Sequence, residues 1–188
     1  DDVESRGLGD VYKRQLSNPP FGTPWKTDLK AWGIGKKDEI SDSRFIINYD
    51  DNPEYSLIPD IGDPQMLFLA NNISKMKTTT ELGSRIIEVH NGSSLFTGKA
   101  GSGPSNLRRY IFEQDLCEAI IAIPENMFYN TGIGTYLWVL TNKKDEKRKG
   151  KVQLIDATSM KEPLRKNLGD KNCEMTRQTV SYTHLTLP

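Results

Sequence analysis

Cysteine and histidine are nearly absent from this chain of 188 residues, which holds only Cys117, Cys173, His90 and His184. So few thiols and imidazoles exclude a disulfide framework, a zinc cluster and a paired-histidine metal motif. They leave a Ser-His-Asp triad little to work with, and they favour a reducing, cytoplasmic setting. Long apolar runs are missing as well. The longest, 119–124 (AIIAIP) and 136–140 (YLWVL), fall far short of the roughly 20 residues that cross a bilayer, so no membrane partner is expected. The acidic, polar start carries no signal-peptide pattern. Excess charge of either sign is also missing, since 25 Lys+Arg balance 25 Asp+Glu. A neutral chain does not bind polyanions with its whole surface, so any contact with nucleic acid must come from a local patch. Apolar residues make up 36%, enough for one modest core or for part of a larger domain.

Both ends differ from the middle. The first fifteen residues (DDVESRGLGDVYKRQ) and the last nine, 180–188 (VSYTHLTLP), carry no useful pattern and resemble translated adapter sequence. A buried central strand before residue 16 calls for an apolar run, yet Tyr12, Lys13, Arg14 and Gln15 stand there. Residues 1–15 and 180–188 are therefore set aside as non-native flanks. The expected fold unit is 16–179, part of a longer domain.

Within that unit, 23–62 is a polar excursion. Eight carboxylates against three basic groups in 36–63 mark it as an acidic surface segment, functional or partly disordered. Asp63-Pro64 predicts a helix start, a capping carboxylate before a proline. Met66, Leu69, Ala70, Ile73 and Met76 follow at helical spacing. Residues 86–89 (IIEV) predict a short strand. A Gly/Ser-rich turn over 91–103 leads to a second helix capped by Ser105, with Leu107, Ile111 and Phe112 inward. The continuous apolar runs 118–124 and 135–141 predict strands buried on both faces. Only 125–134 separates them, too short for a crossover helix, so they should pair antiparallel. A further strand is expected at 152–157. The expected class is α/β, with a mainly parallel sheet and a terminal antiparallel hairpin.

The sharpest motif is Asn18-Pro19-Pro20-Phe21. One reading is a proline-stiffened turn, but the tetrapeptide arises by chance in on the order of one chain in a thousand of this length. Its chemistry is coherent. The amino nitrogen of adenine is a poor nucleophile because its lone pair is delocalised into the ring. Two acceptors placed beside it take both N–H bonds and free that lone pair. The Asn18 side-chain oxygen is one acceptor and the Pro19 carbonyl the other. The prolines fix the backbone and remove competing N–H groups, and Phe21 offers a flat face for an extruded base.

This segment resembles motif IV of amino-methylating, S-adenosylmethionine-dependent methyltransferases. The later stretches IIEVHNGSSLFTGKAGSGPSNLRRYIFEQDLCEAIIAIPENMFYNTGIGTYLWVLTNKK and RKGKVQLIDATSMKEPLRKNLG resemble the catalytic domain of type I restriction-modification methylase subunits. The resemblance runs from about residue 16 to about 176. It implies an incomplete Rossmann-like methyltransferase sheet and adenine-N6 methylation of DNA. S-adenosylmethionine is the implied cofactor; DNA, a specificity subunit and an endonuclease subunit are the implied partners. It also assigns the target base to Asn18, Pro19 and Phe21.

The family's donor-binding motifs precede motif IV and are not in this chain. The glycine-rich segments 98–103 and 132–134 match neither a phosphate loop nor a dinucleotide fingerprint, and the FTGKAG segment at 96–101 has the wrong spacing for a donor motif. Phe128 and Tyr129 are candidates for the base pocket or for hairpin packing. Lys143, Lys144, Lys147, Arg148 and Lys149 form a basic turn that reads as a DNA contact or as a solvated loop. Arg108 and Arg109 carry the same ambiguity, and Cys117 reads as buried packing. Two rival functions stand beside methylation of DNA adenine. One is a non-catalytic assembly or DNA-binding module; the other is methylation of RNA or of a protein amide.

Overall fold

A computed structural model describes residues 14–20, 22–49, 52–129 and 131–179. Its centre is a five-stranded sheet in the order β1-β4-β6-β5-β7. These strands are β1 (Arg14–Ser17), β4 (Arg85–Asn91), β5 (Cys117–Ile123), β6 (Thr135–Thr141) and β7 (Gln153–Asp156). β1 runs parallel to β4 and β7 parallel to β5, while β6 is antiparallel to both its neighbours. Four strands therefore point one way. The β5–β6 hairpin expected from the short connection forms, with β6 inserted between β4 and β5. β1 takes in Arg14 and Gln15, which side-chain pattern alone leaves out. Backbone pairing to β4 makes it a strand whatever its side chains are.

Two helices cover one face: α2 (Gln65–Ser74) and α3 (Gly103–Glu113). Asp63 accepts a hydrogen bond from the Gln65 N–H (3.2 Å), and the helix starts at Gln65 with Pro64 as its N-cap, one residue later than the Asp-Pro start predicts. Met66, Leu69 and Ala70 of α2 and Leu107 and Ile111 of α3 pack on Ile86, Cys117, Trp138 and Leu140 of the sheet. Burial pushes the Cys117 thiol up to about 11, so it stays neutral in the core.

Three expectations are corrected. α3 starts at Gly103 behind Ser102, with proline in its first turn, so Ser105 lies inside the helix and is not its cap. Phe112 is half-exposed, although its ring lies 6.2 Å from that of Trp138. The central strands are only partly buried on their second face, where Ala119, Ile123 and Thr135 are buried. Strand register puts Ile87, Val89, Leu137, Val139 and Ile121 on the face away from α2 and α3, where they are only half-buried. Leu16 on that face is 82% exposed.

The polar excursion is folded onto the core. It contains α1 (Lys26–Ala31) and a two-stranded hairpin of β2 (Ile46–Tyr49) and β3 (Asn52–Ser56). Trp25, Leu29, Phe45, Leu57 and Ile58 join the main cluster, and the Trp25 indole donates to the Asp60 carbonyl (3.1 Å). Isolated apolar anchors in a polar segment do this without periodicity, which is why only a surface segment is expected from the sequence. A second hairpin, β8 (Glu162–Leu168) with β9 (Lys171–Glu174), stands apart from the sheet. No described helix is long and apolar enough to cross a membrane.

Gly103 joins the excursion to α3. A Cβ there would lie 2.0 Å from the Ile58 carbonyl oxygen, whereas one at Gly134 would meet nothing within 4 Å. Gly103→Ala is expected to cost about 2 kcal/mol or more, because backbone must move. Gly134→Ala should stay within about 0.5 kcal/mol. Denaturant unfolding of both variants checks this, and equal costs would contradict the close approach.

Candidate active site

The carboxyl ends of the parallel strands gather the loops that carry chemistry, the usual place for a site in an α/β sheet. Ser17 pairs with Glu88, so the chain leaves β1 at Asn18 beside the last turn of β4. There the Asn18 side chain is exposed and Pro19 is buried. The amide is thus open to a ligand while the next residue is fixed by packing. Phe21 lies outside the described residues.

A buried polar network holds this corner. Glu88 and His90 on β4 are both fully buried. His90 Nε2 donates to Glu88 Oε1 at 2.9 Å, and Asn72 of α2 donates to Glu88 Oε2 at 2.6 Å. Gln15 of β1 donates to the Asn72 carbonyl at 3.0 Å. These bonds tie β1, α2 and β4 together directly behind Asn18. His90 packs against Trp138 (ring centroids 5.9 Å apart), whose indole donates to Ser94 Oγ at 3.1 Å. Among the described residues His90 Nδ1 has no hydrogen-bond partner. At the start of α2, Gln65 donates to Asn91 Oδ1 (2.8 Å) and Ser93 Oγ (2.9 Å), and it accepts from the Asn91 N–H (3.1 Å). The turn after β4 is thereby fixed to α2. Sequence pattern marks IIEV as a strand but misses this network, because which polar residues face inward depends on strand order. The alternation Ile86, Glu88, His90 was the available signal.

Packing accounts for part of the glycine-rich turns, while a Cβ at Gly101 or Gly134 would meet nothing within 4 Å. Gly98 adopts φ +98°, and the space a Cβ would take is filled by Ser102 Oγ at 2.5 Å and by Pro104. A Cβ at Gly132 would come within 3.1 Å of Asn126 Nδ2. The cavity bordered by Ser93, Thr97 and Pro104 measures about 30 Å³, room for one water and not for a nucleoside. Neither turn is a cradle for a methyl donor. Arg108 is spent on the carbonyls of Ser94 and Thr97, and Arg109 pairs with Glu113.

Phe128 and Tyr129 lie on the β5–β6 loop at the same end of the sheet as Asn18, Phe128 half-buried and Tyr129 exposed. The basic turn does not join them. It follows Thr141, which pairs with Arg85 at the start of β4. It is therefore at the opposite end of the strands, about 20 Å away for seven residues of strand. Lys144 is bound to Asp115, Lys149 to Glu146 (2.6 Å), and Arg148 donates to Gln153 (2.9 Å).

Comparison with known proteins fits this geometry. The family model described as N-6 DNA Methylase matches residues 13–184. The chain belongs to the N-6 DNA methylase family. A type I restriction enzyme MpnII methylase subunit from Mycoplasma pneumoniae is 27% identical over 161 residues, covering 85% of this chain and 26% of that protein. The MjaVII methylase subunit from Methanocaldococcus jannaschii is 41% identical over 58 residues, 31% of this chain and 10% of the relative. The crystal structure of a type I restriction-modification methyltransferase subunit from Streptococcus thermophilus superposes with a TM-score of 0.65 at 19% identity. That superposition covers 92% of this chain and 31% of the other, and it supports the fold of this N-6 DNA methylase chain. The chain thus spans less than a third of each of these relatives.

The network behind Asn18 makes a measurable demand. Glu88→Ala strands His90 Nε2 in the core, takes the acceptor from the half-buried Asn72 amide and should cost about 3 kcal/mol. Glu88→Gln keeps an acceptor for His90, and the Asn72 amide can turn to meet it, so less than half that loss is expected. Denaturant unfolding followed by tryptophan fluorescence distinguishes them, and equal, small losses would show that the network does not hold the corner.

Proposed function

We propose that this chain carries the base-receiving half of a site-specific adenine-N6 DNA methyltransferase of a type I restriction-modification complex. One observation carries the reading: an Asn-Pro-Pro segment leaves the carboxyl end of a strand with its amide exposed and the following proline buried. In this reading the Asn18 side-chain oxygen and the Pro19 carbonyl accept the two N–H bonds of an extruded adenine amino group. Held between two fixed acceptors, the nitrogen lone pair turns out of conjugation and becomes nucleophilic. Phe21 takes the stacking role on its chemistry. The buried network of Glu88, Asn72 and His90 keeps β1 and β4 in register, so both acceptors are in place before the base arrives.

The methyl donor in this reading is S-adenosylmethionine. Gly98 and Gly103 of this chain are packed internally and neither glycine-rich segment has the spacing of a donor motif, so the donor site is assigned to residues outside the chain. The chain's own share of the chemistry is to receive and orient the base. No histidine need accept a proton, since the methylated nitrogen sheds its proton to water. DNA, a specificity subunit and an endonuclease subunit are the partners this reading calls for, and the names of the methylase relatives support it.

Asn18→Ala in the full-length subunit should lower methyl transfer to duplex DNA about 100-fold or more, the usual effect of losing one preorganised polar group at a reacting centre. Because Asn18 is exposed, the fold should be unchanged by circular dichroism. Transfer at the wild-type rate would favour the non-catalytic module, and transfer to RNA or to a protein amide would favour the other enzyme reading.

A further inference from the structure

The β8–β9 hairpin is fastened to the rim of the candidate site. Its backbone donates from Asp170 N to the Tyr129 carbonyl (2.9 Å) and from Asn172 N to the Asn126 carbonyl (3.1 Å). Asn126 Nδ2 donates in return to the Asp170 carbonyl (3.0 Å), and Cys173 Sγ to the Glu125 carbonyl (3.2 Å). Gly169 turns the hairpin at φ +61°. A Cβ there would lie 2.6 Å from the Tyr129 carbonyl oxygen, so only glycine lets the tip sit this close. The hairpin therefore lies with its tip against the β5–β6 loop. With strands about 4.8 Å apart and the sheet order β1-β4-β6-β5, its anchor is about 10 to 15 Å from Asn18.

The outer part of the hairpin is basic. Arg165 and Lys166 are exposed and Lys171 is half-buried. Among the described residues none of the three has an ion pair; in the 143–151 turn Lys144 and Lys149 are each bound to a carboxylate, while Lys143 and Lys147 have no ion pair either. Asp170 is the acidic residue at the tip, and Glu162 and Glu174 face each other at the base. Tyr129, 63% exposed, stands beside the tip. Cations free of ion pairs in the outer part of a ribbon, with two of the three carboxylates held at its base and an exposed aromatic ring beside them, fit the phosphate backbone of a duplex.

We infer that the β8–β9 hairpin is a duplex-contacting arm, in which Arg165, Lys166 and Lys171 bind backbone phosphates flanking the position from which the base is extruded. This rests on the reading of the chain as part of a DNA methyltransferase and adds the surface on which the duplex lies. One turn of duplex is about 34 Å long, so a single turn reaches both Asn18 and the hairpin. The contacts position the DNA and carry no sequence preference.

The test is duplex binding by the full-length subunit assembled with its partner subunits, followed by fluorescence anisotropy across a range of salt concentrations. R165A/K166A/K171A should raise Kd at least tenfold at 150 mM salt. It should also flatten the salt dependence by about 2 to 3 in slope, close to 0.9 per lost phosphate contact. R165K/K166R/K171R keeps the charges and should retain the wild-type slope. In methyl-transfer assays the alanine variant should show a raised KM for DNA with kcat held within twofold. Unchanged Kd and slope overturn the inference, as does a loss produced by K143A/K147A/K149A and not by the hairpin variant. Failure of the underlying reading looks different: the unaltered subunit, assembled with its partner subunits, then transfers no methyl group to DNA, whichever variants bind it.

Discussion

The pairing of β1 with β4 is the constraint on which the remainder depends. Four residues of β1, RQLS, hold few apolar groups, so burial of its own side chains does little to keep this strand in place. Register comes from the backbone ladder and from the bonds that Gln15 and Asn72 make behind it. Those bonds end on Glu88, a carboxylate buried only because His90 and Asn72 satisfy its oxygens. A polar network of this kind gives little net stability, but it discriminates sharply among alternatives. A shift of one residue in β1 would bring Leu16 opposite Glu88 and turn Gln15 away from Asn72. The position of Asn18 is set by that discrimination.

The sheet is built asymmetrically. One face is sealed by α2, α3 and the anchors of the polar excursion, around a core centred on Leu69, Leu107, Ile111 and Trp138. On the other face Ile87, Val89, Leu137, Val139 and Ile121 stay half-buried, and Leu16 is open at the β1 edge. The sealed face explains how the loops at the carboxyl ends are positioned. Each is tied to a helix or a neighbouring loop: the turn after β4 through Gln65, and the β5–β6 loop through the β8–β9 hairpin. Glycines serve these close approaches: Gly98, in a segment that looks like a ligand loop in the sequence, against Ser102, and Gly169 against Tyr129.

Much of this was legible from residue pattern. The apolar runs at 118–124 and 135–141, the short connection between them and the Asp63-Pro64 start predicted elements that form, because each depends on local chemistry. The α1 helix and the β2–β3 hairpin were not legible. Their anchors, Trp25, Phe45 and Leu57, are single residues whose partners lie on other elements. The β8–β9 hairpin carried a weak signal in Gly169-Asp170, a Gly-X pair suited to a two-residue turn, but its strands are exposed and lack alternation. Within the site, the chemistry of Asn18 and Pro19 could be read from residue type. That the basic turn at 143–149 sits at the far end of the strands could not, since it depends on β6 running against its neighbours.

The central claim is that the acceptors on this chain are built for the amino group of adenine in DNA. The most direct measurement is to incubate the full-length subunit and its partner subunits with duplex DNA and methyl-labelled S-adenosylmethionine, then digest the product to nucleosides. The account predicts that the label is recovered as N6-methyladenine. Label recovered on cytosine, in RNA, in a protein amide, or in no nucleoside at all would contradict it.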